Sequence, residues 1–176
     1  GKNPNVGCVL VKDGNLICSS NTSISGRPHA EENLINLVKN KDLLKNSSLY
    51  LTLEPCAHKG KNNLSCTDLI LKSGIKNVYI SSIDPDPRTS GKSVSILKNA
   101  GLHVQTGLLE EEGNRLNAGF FSRIKYNKPI ITLKIAISLD GKIALKNKFS
   151  KWISNDLSLR YSHFLRSQSD AIMTSS

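Results

Sequence analysis

No apolar run in the 176 residues approaches the roughly 18 that a membrane-spanning helix needs, so the sequence offers no such span. Aromatic residues are scarce, at 5% with a single Trp, which leaves few platforms for stacking nucleobases. Four cysteines are too few for a disulfide scaffold in a chain of this length. Acidic residues are short as well: 14 Asp and Glu face 24 Lys and Arg, for a formal charge of +10. The 18 lysines are scattered rather than gathered in a block, and 17 asparagines accompany them, so a general Lys/Asn bias accounts for the excess. Such a charge steers anions, and an anionic small molecule fits it better than a nucleic acid.

What is present points to a folded chain. Hydrophobic residues make up 38% and charged residues 22%, enough for a packed core and unlike a disordered, coiled-coil or collagen-like composition. The length suits one full domain, or one plus a piece of another. The chain opens on Gly1 rather than Met and closes at Ser176, directly after Ala171-Ile172-Met173. The expectation is therefore a piece of a longer polypeptide, open at both ends, with no leader visible.

Hydropathy patterning predicts an α/β alternation. Val6–Val11 and Leu16–Cys18 flank Asp13-Gly14 and read as a β-hairpin. From His29 to about Asn40, apolar residues at 34, 35, 37 and 38 suit a helix packed on a sheet. A strand over Leu49–Leu53, a helix over Thr67–Ser73 closed by Gly74 and a strand over Val78–Ile83 follow, then the rigid loop Asp84-Pro85-Asp86-Pro87. A helix near 92–100, a strand near 103–106 and one helix over about 110–125 complete the order, which implies a sheet with helices on both faces. After Lys128-Pro129 the pattern restarts: a strand over Ile130–Ile137, a helix over Asp156–Ser167 capped by Ser154 or Asn155, and a strand over Ala171–Thr174. This second stretch is too small to stand alone and reads as the start of another domain.

The chemistry gathers around two cysteines. Cys8 and Cys18 sit in apolar strand positions and read as core thiols. Cys56 and Cys66 lie in loops, and fold order makes His29-Ala30-Glu31 their nearest companion. A catalytic zinc takes three protein ligands and keeps one position open for water, and two thiolates with one imidazole suit it. Glu31, two residues past His29 on the first helical turn, could face that water and shuttle its proton to a leaving amine. The arrangement H-x-E followed by P-C-x-x-C is that of the zinc deaminases of nucleobases; here the first half matches, and Pro55-Cys56 matches without the short spacing to the second cysteine. The alternative is a structural zinc, which prefers four protein ligands and has no use for Glu31.

Longer stretches sharpen this. Asn3-Pro4-Asn5-Val6-Gly7-Cys8-Val9, His29-Ala30-Glu31, Leu51-Thr52-Leu53-Glu54-Pro55-Cys56-Ala57-His58-Lys59-Gly60-Lys61 and Asp84-Pro85-Asp86-Pro87 resemble the bifunctional deaminase–reductases of riboflavin biosynthesis. Leu133–Ala144, Ser150–Ile153 and Leu165–Ile172 are similar to the opening of that family's reductase half. The resemblance runs over nearly the whole chain, with its motifs in order. It implies a three-layer α/β/α cytidine-deaminase-like domain over residues 1–127, without its first helix, and the beginning of a dihydrofolate-reductase-like domain over 128–176. It implies hydrolytic deamination of a diaminopyrimidinone ribosylamino 5′-phosphate, with NADPH-dependent reduction of the product's ribose by the full-length protein. By position, His29, Cys56 and Cys66 would hold Zn2+, Glu31 would be catalytic, and Asn3, His58, Lys61, Asp84 and Asp86 would line the substrate pocket. In the reductase stretch Ser150 and Arg166 would touch substrate, and Ala136 and Trp152 would touch NADPH.

Three departures accompany the match. The loop between the cysteines is one residue longer and reads Asn62-Asn63-Leu64-Ser65 where Thr-Pro-Pro is usual. Thr22 stands where the family often has a substrate-contacting His, and Asp86 replaces an Asn. The expected partner is a phosphorylated pyrimidine, with no nucleic acid and no membrane; self-association is left open, and the expected compartment is cytoplasmic. No reductase turnover is expected from these 176 residues alone. The alternative within the same chemistry is a zinc deaminase of a nucleoside, a nucleotide or a tRNA base.

Overall fold

A computed structural model describes residues 3–58, 64–148 and 154–174. The chain divides into two compact units, residues 1–130 and 131–176.

In the first unit the hairpin forms as its sequence requires. β1 (Gly7–Lys12) and β2 (Asn15–Asn21) pair antiparallel through Asp13-Gly14. Both turn residues have positive φ, +51° and +76°, the conformation that a two-residue hairpin with native strand twist needs and that Asp-Gly supplies at low cost. β3 (Ser48–Leu53) pairs antiparallel with β1; β4 (Asn77–Ser82) and β5 (His103–Thr106) then add in parallel. The resulting sheet is mixed and five-stranded, in the order β2-β1-β3-β4-β5.

Alternation along the strands sets the two faces. Leu10, Leu49, Val78 and Val104 lie in one register row, with Cys8, Leu51 and Ile80 beside them, and all are buried. Leu34 of α1 (Ala30–Leu37), Ile70 of α2 (Cys66–Ser73) and Leu97 of α3 (Lys92–Asn99) join the same core. Three helices thus cover one face. On the other, Tyr50 and Tyr79 stand opposite each other and stack at 4.7 Å between ring centres, half-buried. α4 (Glu110–Leu116) approaches the end of β4, where the Ser81 hydroxyl donates to the Leu109 carbonyl. A Cβ on Gly113 would overlap the Ser81 and Ser82 hydroxyls, so only glycine lets the two elements meet this closely.

The single helix expected over 110–125 is in fact two, α4 and α5 (Ala118–Tyr126). The break falls at Asn117, which is buried and binds the main chain of Asn5 in both directions: its Oδ1 accepts from Asn5 N at 2.9 Å, and its Nδ2 donates to Asn5 O at 3.2 Å. A tie to a residue 112 positions away overrides the local helical periodicity.

In the second unit α6 (Asp156–Ser167) spans the expected residues, with the Asn155 side chain capping it by accepting from Ser158 N. The two strands expected at 130–137 and 171–174 do not form among the described residues; both segments are irregular and largely exposed, with Ile131 84% and Met173 96% accessible. Apolar sequence makes a segment fit for a sheet, but a strand exists only against a hydrogen-bonded neighbour. Among the described residues no helix is long and apolar enough to cross a membrane.

Candidate metal centre

Three segments deliver the ligand atoms. His29 is the cap residue before α1, Cys56 follows β3 by three residues, and Cys66 is the first residue of α2. The start of α2 is fixed by a capping box in which the Ser65 side chain accepts from Asp68 N and Asp68 accepts from Ser65 N. Its first-turn groups turn on Cys56: Cys66 N donates to Cys56 Sγ at 3.3 Å, and Thr67 N and Oγ1 donate to the Cys56 carbonyl at 3.2 and 2.9 Å.

His29 Nδ1 lies 3.3 Å from Cys66 Sγ and 3.7 Å from Cys56 Sγ, and all three ligand atoms fall within 4.8 Å of one another. A tetrahedral zinc at ordinary Zn–S and Zn–N distances separates its ligands by about 3.6 Å. Two sulfurs and one imidazole nitrogen at these spacings therefore fit a zinc ion, and they are the three candidate ligands among the described residues.

Protonation follows the same contacts. Hydrogen bonding from Cys66 and His29 holds the Cys56 thiol down at about 4, against the penalty of burial. Cys66, which shares its proton with Cys56 and is buried, is pushed up. The bond to Cys56 raises His29. Glu31 is 3% exposed, and burial lifts its carboxyl above the usual carboxylate range, with His29 and Cys66 pulling weakly the other way. Cys8 of β1 lies near enough to feel the charge of Glu31; burial pushes its thiol up to about 12, and it contacts the Ser20 hydroxyl at 3.4 Å.

A second cluster lies on the loop after β4. Asp84 is buried, and its Oδ1 accepts from Asp86 N at 2.8 Å; burial first, then the negative charges around it, push it up to about 6. Asp86 goes the other way. Its carboxylate takes the guanidinium of Arg88 through Nε and Nη2, which holds it down at about 2. His58 Nδ1 reaches the buried Thr89 hydroxyl at 3.3 Å, joining the zinc loop to this one. The Asn3 amide packs where a side chain on Gly26 would sit, so the φ of +85° at Gly26 and its lack of a Cβ both serve the approach of the N-terminal loop. Thr22 is occupied with Val6, accepting from its N–H at 3.1 Å.

The structure brings His29, Glu31, Cys56 and Cys66 together and sets His58, Asp84 and Asp86 on loops joined to that cluster. Lys61, Ser150 and Trp152 lie outside the described residues. Ala136 is half-buried in the second unit, and Arg166 is exposed in the last turn of α6. Sequence reasoning passed over Glu54, although a carboxylate closing an apolar strand just before Pro-Cys was the signal, and it passed over Asn117, for which no local signal existed.

Comparison with known proteins agrees with the geometry. The family profile of the cytidine and deoxycytidylate deaminase zinc-binding region matches residues 1–82, and that of the RibD C-terminal domain matches 129–176. The chain is 43% identical over 97% of its length to the riboflavin biosynthesis protein RibD of Aquifex aeolicus, covering 47% of that protein. It is 45% identical to a diaminohydroxyphosphoribosylamino-pyrimidine deaminase of Buchnera aphidicola over 72% of this chain and 84% of that one. A deaminase/uracil reductase structure from Thermotoga maritima superimposes with a TM-score of 0.83 at 42% identity, over 92% of this chain and 46% of that chain. The chain thus spans about half the length of the RibD relatives it matches.

Proposed function

The chain belongs to the diaminohydroxyphosphoribosylaminopyrimidine deaminase family, and from that premise we propose that it deaminates a diaminopyrimidinone ribosylamino 5′-phosphate by hydrolysis. The observation that carries the reading is Glu31: a carboxyl only 3% exposed, two residues beyond His29 and close to the cluster of three ligands. Zinc bound by His29, Cys56 and Cys66 would lower the pKa of water to about 7, making a nucleophile available at neutral pH.

Glu31 takes the proton from the attacking water and passes it to the leaving amine. The new bond joins the water oxygen to the ring carbon, the ring carbon–amine bond breaks, and ammonia departs. Asn3, His58, Asp84 and Asp86 orient the pyrimidine, and Lys61 meets the phosphate as a point charge. Arg88 pairs with Asp86, which offsets the extra negative charge that Asp brings in place of Asn.

Residues 1–127 form the deaminase domain in this reading, and 128–176 the first part of an NADPH-dependent reductase. Ala136 and Trp152 would meet the cofactor there, and Ser150 and Arg166 the substrate. The whole polypeptide would then reduce the ribose of the deaminated product to a ribityl chain. All four cysteines are free, in keeping with a reducing cytoplasm.

The test is ammonia release from the diaminopyrimidinone phosphate beside cytidine, dCMP and tRNA. Turnover of the first is expected; turnover of cytidine alone would sink the assignment. Glu31→Gln should keep one zinc per chain and lose roughly 10²–10⁴ in kcat. Loss of the metal in that variant would instead make Glu31 a structural residue.

A further inference from the structure

Glu54 is 3% exposed and stands at the end of β3, directly before Pro55-Cys56. Its own N–H donates to the Ser82 carbonyl at 2.9 Å, extending the pairing of β3 with β4 by one bond. Its carboxylate accepts four hydrogen bonds. Oε2 takes Asp84 N at 3.2 Å and Gly91 N at 2.9 Å; Oε1 takes Ser93 N at 3.2 Å and Ser93 Oγ at 2.7 Å. These partners are the two ends of the 84–91 loop and the first turn of α3.

From Asp84 the order is handed along. The Asp84 carboxylate accepts from Asp86 N, the Asp86 carboxylate accepts from Arg88 N, and the Asp86 carbonyl accepts from Thr89 N and Ser90 N. Thr89 then meets His58, two residues past Cys56. The loop is thus closed on itself and fastened at both ends to one carboxylate, whose main chain continues into the zinc loop. A buried carboxylate is costly unless its oxygens are bonded, and here they are bonded to the groups that place the candidate substrate residues.

We propose that Glu54 is the positioning residue of the substrate loop: it holds residues 84–91 beside the metal centre and so sets substrate affinity, touching neither metal nor substrate. This rests on the deaminase reading and on Asp84 and Asp86 contacting the pyrimidine.

Three variants of the full-length, zinc-loaded protein separate the role from plain support of α3. Ser93→Ala removes one bond on the helix side only; a lower Tm with unchanged KM is expected. Glu54→Gln keeps one oxygen, which can still serve Asp84 N and Gly91 N, while its amide donates to the Ser93 hydroxyl but cannot accept from Ser93 N; a lower Tm is expected, with KM within about threefold of the parent. Glu54→Leu strips the acceptor from both ends of the loop; KM should rise about tenfold or more, with kcat within about threefold and one zinc per chain retained. Should Glu54→Leu not fold, Glu54→Asp, one methylene shorter and unable to reach both ends of the site, carries the same measurement. A rise in KM for Ser93→Ala equal to that of Glu54→Leu would overturn the proposal, as would an unchanged KM or a loss of zinc in Glu54→Leu.

Amide hydrogen exchange provides a readout that needs no turnover. Asp84 and Gly91 should exchange faster in Glu54→Leu than in the parent and not in Ser93→Ala. Equal protection in all three would overturn the proposal even for an active enzyme. A parent that releases no ammonia from the diaminopyrimidinone phosphate, yet shows this exchange pattern, would overturn the deaminase reading and leave the anchoring role of Glu54 standing.

Discussion

Asp84 and Asp86 stand two residues apart and are pushed in opposite directions, one by burial and one by a guanidinium. The consequence for stability has a definite sign. Asp84 has its folded pKa raised from 3.8 to about 6, so the folded state binds the extra proton between those values. Stability from this group is fully present below pH 3.8 and declines as pH rises through about 6. Asp84→Asn, whose Oδ1 still accepts from Asp86 N, should therefore be more stable than the parent above pH 6 and no different near pH 3.5. Urea midpoints at the two pH values check this; a gain at both would mean that packing, not charge, is responsible. Asp86 behaves conversely, contributing stability above about pH 4 that is lost as pH falls through about 2. Its partner Arg88 is largely exposed, so the pair itself is worth no more than about 1 kcal/mol.

At the level of elements, the Asn117–Asn5 tie joins the α4–α5 break to the loop carrying Asn3. Asn117→Ala leaves an N–H and a carbonyl of Asn5 without these partners and should cost about 1–3 kcal/mol. Because Asn3 loses its tether, KM for the pyrimidine should rise as well, and Asn117→Leu, which fills the space without bonding, should not restore it. Chemical denaturation together with steady-state kinetics tests both statements. The same element shows where sequence patterning stops being informative. The strands from β1 to β4 were legible as short apolar runs bounded by Gly, Pro, Asn or Asp. His29, Cys56 and Cys66 were legible because their residue types suit one metal in a fixed fold order. The break at Asn117 was not, since it depends on a partner 112 positions away. Nor was the role of Glu54, whose four donors come from Asp84, Gly91 and Ser93, far along the chain. The segments at 130–137 and 171–174 show the converse error: their strand composition is plain, yet composition alone provides no pairing edge.

For the whole molecule, a metal at His29, Cys56 and Cys66 would staple the start of α1, the loop after β3 and the start of α2. Binding to the folded state alone stabilises it by mass action, by about 4 kcal/mol at a thousandfold excess over Kd. A strong chelator should therefore lower the Tm of the parent by several degrees. Cys66→Ser should begin at the lower value and respond little to the chelator. An equal response in both would mean that the ion acts elsewhere.

The strand order also arranges events in time. β3 adds to β1, β4 to β3 and β5 to β4, so the parallel part of the sheet grows along one edge in the order of synthesis, while β2 takes the far side at once. A ribosome supplies chain at roughly 5–20 residues per second, which leaves seconds between successive strands. Every metal ligand precedes residue 67, ahead of β4. A nascent chain can thus gather its ion on a three-stranded sheet before the loop at 84–91 has left the ribosome, and Glu54 then receives the backbone amides of that loop.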